Sequence, residues 1–333
     1  MSVLKRYLPL IANLIAAVVF GFAFMFMKSG MNVVGNDAVK FLAFRFTTGF
    51  IVLTLLLATG LLKVNFKGKP VHYLFLIGML NPLTSQVLET TAVAYAPTSQ
   101  IAVLFSVNPV IIVLFSILIN REKPTKRQAF FMLVIIGGLL MTHLVDGQME
   151  GSTSTGVILT LSAVTVISLY RVLIRRASGT FTAFEMIYIS TGMGAVGFTS
   201  MTLTTHAVRG QLGSFFDGLW NVDFVASILY MGILSCVVAF LCMAYATANL
   251  PITVSTSLTK VASVITILVG IFILNEAFRV IDIVGTTIVL LGVIGMSLSY
   301  NVHVSNRYVQ YKKDMPVLSS ESGDDSTEEE QDI

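Results

Sequence analysis

The sequence predicts an all-α polytopic membrane protein with ten transmembrane helices, arranged as two inverted five-helix repeats. Three observations carry that prediction. Of 333 residues, 55% are hydrophobic and only 12% are charged, with a mean hydropathy of +0.84; a soluble domain carries about 25% charged residues. The apolar residues gather in ten runs, each close to the ~20 residues that cross a hydrocarbon core. The chain also matches itself at a shift of 154 residues. The composition excludes a soluble enzyme, a disulfide-rich secreted domain and a globally disordered chain. Cys236 and Cys242 share one apolar run, so no disulfide framework is implied.

The runs follow in order. The first, about 8–30, comes after Lys5 and Arg6 and is too long for a signal-peptide core, so it is expected to remain as a helix. The second, 38–62, holds Lys40 and Arg45. The third, 72–95, and the fourth, 98–119, carry Asn81-Pro82 and Asn108-Pro109. Proline removes an intrahelical bond and kinks a helix there. The fifth, 128–146, contains Gly137-Gly138, and the tenth, 280–302, contains Gly285, Gly292 and Gly295; such glycines let helices pack closely. Between them lie 156–174, 182–204, 223–247 and 252–274. Only the loop 205–222 has room for a surface segment. No run alternates with period 2, which excludes a β-barrel. Backbone groups in lipid must bond within their own segment, so the runs are helices. The stretch 307–333 is a separate element. From Ser319 onward it is Ser, Gly and acidic, and it is expected to be a disordered cytosolic tail.

With the N-terminus placed in the cytosol, fifteen Lys and Arg fall in cytosolic segments and two, Arg209 and Arg279, in outer loops. By the positive-inside rule both termini are expected on the cytosolic side of the cell membrane. The same bias accounts for the basic loops without a nucleic-acid partner.

At the 154-residue shift Gly78 falls on Gly232, Pro97 on Pro251, Glu122 on Glu276 and Gly138 on Gly292, in one ungapped register with many Ile, Leu and Val matches. The two repeats are expected at 8–146 and 156–302. Each holds an odd number of helices, so the second enters the membrane from the opposite side. Inverted repeats around a midplane site recur in secondary transporters.

Several stretches carry a resemblance. They are Phe41-Leu42-Ala43-Phe44-Arg45-Phe46 in the second run, Glu89 through Ser99 leading into the fourth, Asn108-Pro109 within it and Asn120-Arg121-Glu122 at its close. The second half repeats them as Asn249-Leu250-Pro251-Ile252-Thr253 and Leu274-Asn275-Glu276. The chain resembles the drug/metabolite transporter superfamily, with two EamA-type domains over about 8–302. The resemblance implies a central cavity between the halves and movement of small metabolites, often amino acids and frequently outward. One departure is Ser263, opposite Pro109 in the repeat, where the family often has proline.

Charges inside a bilayer are unfavourable and are functional candidates by default. Glu89 and Lys260 lie deepest. They either pair with each other as a static fastening or face the cavity and meet a charged substrate or a proton. Gln86, one turn before Glu89, shares its helix face. Arg45 either contacts substrate or packs against carbonyls. Asn108 offers cavity lining beside Pro109, and Tyr170 and Tyr245 are aromatic wall candidates. Lys28 is expected to reach outward to the interface, and Arg171 and Glu185 to face water or each other. The chain has no zinc-protease, P-loop or C-x-x-C motif, so no enzyme activity, cofactor or metal is expected. The expected partners are a small-molecule substrate and the lipid bilayer. A secondary transporter is the leading reading. The other is a non-transporting polytopic protein such as a receptor, scaffold or lipid-modifying enzyme.

Overall fold

The computed structural model describes residues 3–120, 124–144, 153–250, 258, 260–277 and 279–314; helices dominate, and no strand occurs among the described residues. Helix α1 (Val3–Val33) and α2 (Ala38–Ala58) are joined by a turn in which Gly35 and Asn36 both take positive φ, 63° and 62°. Asp37 then caps α2, accepting from the Lys40 amide at 3.0 Å. Helix α3 (Val71–Gly78), a π-helical stretch (Met79–Thr84) and α4 (Ser85–Ala92) form one rod. Helices α5 (Thr98–Phe105) and α6 (Asn108–Asn120) follow, broken at Ser106 and Val107 just ahead of Pro109. Next come α7 (Lys126–Leu144), α8 (Ser154–Ala177) and α9 (Ala183–Val208). A 3-10 helix at Leu212–Trp220 fills the long loop. Helix α10 (Val222–Leu229), a second π-helical stretch (Tyr230–Ala239) and α11 (Phe240–Asn249) form another rod, followed by α12 (Val261–Phe272) and α13 (Val280–Asp314).

Six of these rods are long and apolar enough to cross a membrane: Tyr7–Val33, Ala38–Ala58, Val71–Ala92, Thr98–Ile119, Ser154–Arg175 and Val222–Ala246. Two shorter apolar helices, Val261–Phe272 and Val280–Met296, accompany them. The expected run 252–274 begins in residues outside the described set, as do Glu122, Pro251 and 315–333 of the tail. Helix α13 runs on to Asp314, past the expected boundary at 302 and into the start of the segment assigned to the tail.

Large apolar side chains cover the outside: Leu118 is 75% exposed, Phe272 75% and Val280 77%. Patches of that kind mark a surface that meets something other than water. Helices in lipid gain nothing from hiding such groups against each other, so close packing must hold them together. Gly138 on α7 and Gly285 on α13 supply it. A Cβ at Gly138 would lie 2.9 Å from the Gly285 carbonyl oxygen, and one at Gly285 would lie 2.9 Å from that of Gly138. Gly137, also expected to serve packing, faces open space.

The helices pair in a fixed pattern. Helix α2 packs on α9, α7 on α13 and α5 on α12. Helix α1 packs on α11 and α12, while α8 packs on α4, α5 and α6. The π stretch at Met79–Thr84 touches α9, and that at Tyr230–Ala239 touches α2.

Candidate functional site

The α3–α4 rod breaks at Asn81, whose φ of −141° and ψ of 115° are extended rather than helical, immediately before Pro82. Proline has no amide to give the preceding turn. Local side chains take up the polar groups of this break: Thr84 Oγ1 donates to the Met79 carbonyl at 2.8 Å, and Ser85 Oγ to Asn81 Oδ1 at 2.7 Å. Tyr170 of α8 approaches the Asn81 side chain. Helix α4 begins directly after the break and aims Gln86 and Glu89, one turn apart, at α2 and α8.

Arg45, buried on α2, lies with its guanidinium carbon 5.3 Å from the Phe46 ring centroid. Its Nη1 donates to Gln86 Oε1 at 2.8 Å, and Gln86 Nε2 donates to Glu89 Oε2 at 3.0 Å. Both Arg45 and Arg171 act electrostatically on the Glu89 carboxylate. Arg171 in turn acts on Lys260, which stands immediately before α12. Arg171 itself is exposed. Hydrogen bonds thus join Arg45, Gln86 and Glu89, from α2 and α4, while Arg171 and Lys260 are linked to them only electrostatically.

The structure thus brings together Arg45, Gln86 and Glu89, and it sets Lys260 and Tyr170 beside them through Arg171 and Asn81. Among the described ion pairs Glu89 and Lys260 are not partners. Asn108 opens α6 and is buried against α8, where its carbonyl accepts from Ser168 Oγ at 3.5 Å; among the described residues no bond joins it to the Glu89 network. Tyr245, 42% exposed on α11, also lies outside that network's described bonds. Arg171, expected to face water or Glu185, is exposed near the end of the apolar span Ser154–Arg175 and acts electrostatically on Glu89.

Two further expectations are corrected. Glu185 faces neither water nor Arg171. It is buried in the first turn of α9, forms a capping box with Thr182, takes both oxygens to Lys69 Nζ at 2.7–2.8 Å and accepts from the Asn65 amide at 2.9 Å. Lys28 does not reach out to the interface either. It turns to Glu276, 2.9 Å away. That carboxylate serves a second purpose. Helix α5 starts after Pro97, which has no side-chain cap to offer, and its first amides are orphan donors that are very unfavourable to bury unbonded. Glu276 Oε1 accepts from the Thr98 amide at 2.7 Å and its hydroxyl at 3.0 Å, and Oε2 accepts from the Ser99 amide at 2.9 Å and its hydroxyl at 2.7 Å. Asn275, at φ 50°, turns the chain after α12 so that Glu276 can reach back; Asn is one of the few residues that adopt this left-handed conformation readily. Gly270 leaves the space, since a Cβ there would meet Glu276 Oε2 at 2.6 Å.

A family model for EamA-like transporters matches the chain twice, over residues 8–144 and 154–298. The chain belongs to the EamA-like transporter family. This EamA-like transporter is 23% identical over 87% of its length to the uncharacterized transporter YcxC of Bacillus subtilis, covering 92% of that protein. It is 24% identical over 69% of its length to an uncharacterized transporter of Clostridium kluyveri, covering 73% of it. A crystal structure of a protein with 17% identity superposes with a TM-score of 0.54 over 87% of this chain and 97% of its own, a likeness of fold. Family and apolar helices together make it a multi-pass membrane transporter. A groove of about 510 Å³ lined by Lys126, Arg127, Phe130, Phe131, Gly295 and Leu298 lies between α7 and α13, on other elements than those carrying Glu89.

Proposed function

We propose that this EamA-like transporter is a secondary transporter that moves a small metabolite, an amino acid among the candidates, outward across the cytoplasmic membrane by alternating access. In this reading ten helices cross the membrane as two inverted five-helix repeats, 8–146 and 156–302, and both termini and the tail 307–333 are cytosolic. The central cavity holds Glu89, Gln86, Arg45, Lys260 and Tyr170, with Arg171 added to them, while Asn108 and Tyr245 serve its walls.

One observation carries the proposal: several of the main helix pairings recur when the halves are exchanged. Sliding by 154 residues sends α2 to α9 and α7 to α13, and each pair is in contact. It sends α1 to α8, α6 to α12 and the α3–α4 rod to the α10–α11 rod, so the α1–α11 contact matches that of α8 with α4, and the α1–α12 contact matches that of α8 with α6. The two π-helical stretches, Met79–Thr84 and Tyr230–Ala239, coincide in the same register. Two interchangeable halves around polar groups supply the two facing states that alternating access needs.

The test uses purified protein in liposomes and single cysteines in a background lacking Cys236 and Cys242. Thr98 is fully buried in this structure. A cysteine at position 98 should be unreactive to an impermeant thiol reagent in this state and become reactive from one side only when solute shifts the protein to its other state. Labelling that ignores every transported solute, or that occurs from both sides, would remove the mechanism. Turnover of a lipid substrate with no solute flux would favour a membrane enzyme instead.

A further inference from the structure

Helices α7 and α13 run antiparallel: Gly138 lies against Gly285, Ile135 against Gly292 and Phe131 against Gly295. The groove of about 510 Å³ lies at the end of this pair where α7 begins. Its lining is of two kinds. Lys126 and Arg127, both exposed, stand in the first turn of α7, which holds no acidic residue. Neither belongs to a described ion pair. One turn along, the lining becomes apolar. Phe131 packs its ring on Gly295, which has no side chain to exclude it. The Phe130 ring meets Phe131 edge-on at 5.3 Å and is 60% exposed, and Leu298 on the facing helix is 49% exposed.

We propose that this groove binds an anionic phospholipid, with the phosphate held by Arg127 and Lys126 and an acyl chain laid along Phe130, Phe131 and Leu298. The guanidinium offers a planar fork for two phosphate oxygens, and the ammonium adds a compact charge beside it. Basic pockets between membrane helices select lipids by these means. The charges and the apolar strip together choose the occupant. A free anion would satisfy the two cations and leave Phe130 and Leu298 uncovered. A zwitterionic lipid would cover the strip but bring its own cation against Lys126 and Arg127. The volume lies within the range of about 300–1,000 Å³ usual for ligand pockets, and it suits the phosphate, the glycerol backbone and the upper part of one chain, with the rest in the bilayer. In the topology proposed for this chain the lipid belongs to the cytosolic leaflet. Helix α13 continues past the groove at that end, and its sequence there includes Arg307, Lys312 and Lys313. The proposal rests on that topology only in naming the leaflet, and binding to the purified protein tests the groove by itself.

The experiment uses the full-length protein, purified in detergent and stripped of lipid. Phosphatidylglycerol, phosphatidylcholine and inorganic phosphate are added separately. Bound lipid is counted by native mass spectrometry, and thermal unfolding is followed in parallel. Phosphatidylglycerol should remain bound and raise the unfolding temperature, and the other two should do neither. Joint replacement Lys126→Gln and Arg127→Gln should weaken phosphatidylglycerol at least tenfold, whereas Lys126→Arg with Arg127→Lys should retain most of the affinity. Phe130→Ala should weaken the lipid as well, without changing the unfolding temperature of the lipid-free protein. Lys63→Gln with Lys67→Gln, which removes two exposed cations from the loop before α3, should leave binding unchanged. The site is overturned if phosphatidylglycerol binds the Lys126/Arg127 double variant as well as wild type, or if the Lys63/Lys67 pair matters equally, since general surface attraction would then account for the binding. Equal retention of phosphatidylcholine would remove the charge selection, and equal stabilisation by phosphate alone would make the groove a free-anion site and not a lipid site.

Discussion

Gln86 stands between a guanidinium that only donates and a carboxylate that only accepts, so its amide has one orientation: oxygen to Arg45, nitrogen to Glu89. Replacing it with Leu leaves the buried Arg45 without that acceptor. The loss of a hydrogen bond to a charged group should lower unfolding stability by about 1.5–3 kcal/mol, read from denaturation of the purified protein. Glu89→Gln keeps the shape and removes the charge. The protein should insert normally while flux falls at least tenfold and loses its dependence on pH; wild-type flux at every pH would exclude a coupling role for Glu89. That Gln86 and Glu89 share a helix face was legible in the sequence from their three-residue spacing, whereas the bond from Arg45 to Gln86 was not. Nor was the electrostatic coupling of Arg171 to Glu89, because position along the chain tells how far a charge stands from a helix end but not which charge on another helix it faces. Asn275 was quoted only as part of a repeated motif, yet its left-handed backbone is what turns Glu276 inward. Asn275→Val should destabilise the protein by about 1–2 kcal/mol, since a β-branched side chain resists that conformation.

The tertiary cap on α5 is the clearest relation between elements. Burial alone would raise the Glu276 pKa, but the bonds from the Ser99 and Thr98 amides, from Lys28 and from the Ser99 hydroxyl outweigh it and hold the carboxyl below its usual range. A depressed pKa means that the contact contributes fully above the ordinary value of about 4.3 and is lost as pH falls through the lower folded value. The stability difference between wild type and Glu276→Gln should therefore stay constant from pH 7 to 5 and shrink only in stronger acid. A difference that vanishes near pH 6 would contradict the geometry. Gly270→Ala places a methyl against the Glu276 carboxylate and should loosen the same contact, so that a cysteine at Thr98 labels faster than in the Gly270 background. At this scale the apolar runs were readable, and so was the break at Asn81-Pro82, because proline announces it. The cap was not readable: Glu276 entered the sequence argument as the repeat mate of Glu122, a match that says the position matters and not what it touches.

For the whole molecule, the repeat was the strongest signal in the sequence, and the exchangeable packing of the helices is its physical counterpart. Side-chain chemistry does not follow that symmetry. Of the central groups Arg45, Gln86 and Glu89 come from the first half, while Arg171 and Lys260 come from the second. The two halves thus differ at these polar positions, and no self-comparison of the sequence finds such residues. The polar C-terminal segment is expected to add nothing to the core. Truncation after Asp314 should leave insertion and flux at wild-type levels, as checked by membrane fractionation and liposome transport; loss of folding would show a docked element there.

The bond between Glu276 and Thr98 joins residues 178 positions apart, which has a consequence for biogenesis. While the ribosome is still making the second half, α5 is already synthesised and its first amides have no acceptor. The first half therefore enters the bilayer unfinished, and the start of α5 is sealed only when the turn after α12 emerges. Nascent chains arrested before residue 276 should leave a protease site near Thr98 open to cleavage, and chains released beyond it should close that site. Protection that is complete before Glu276 has been made would show that the first half seals itself.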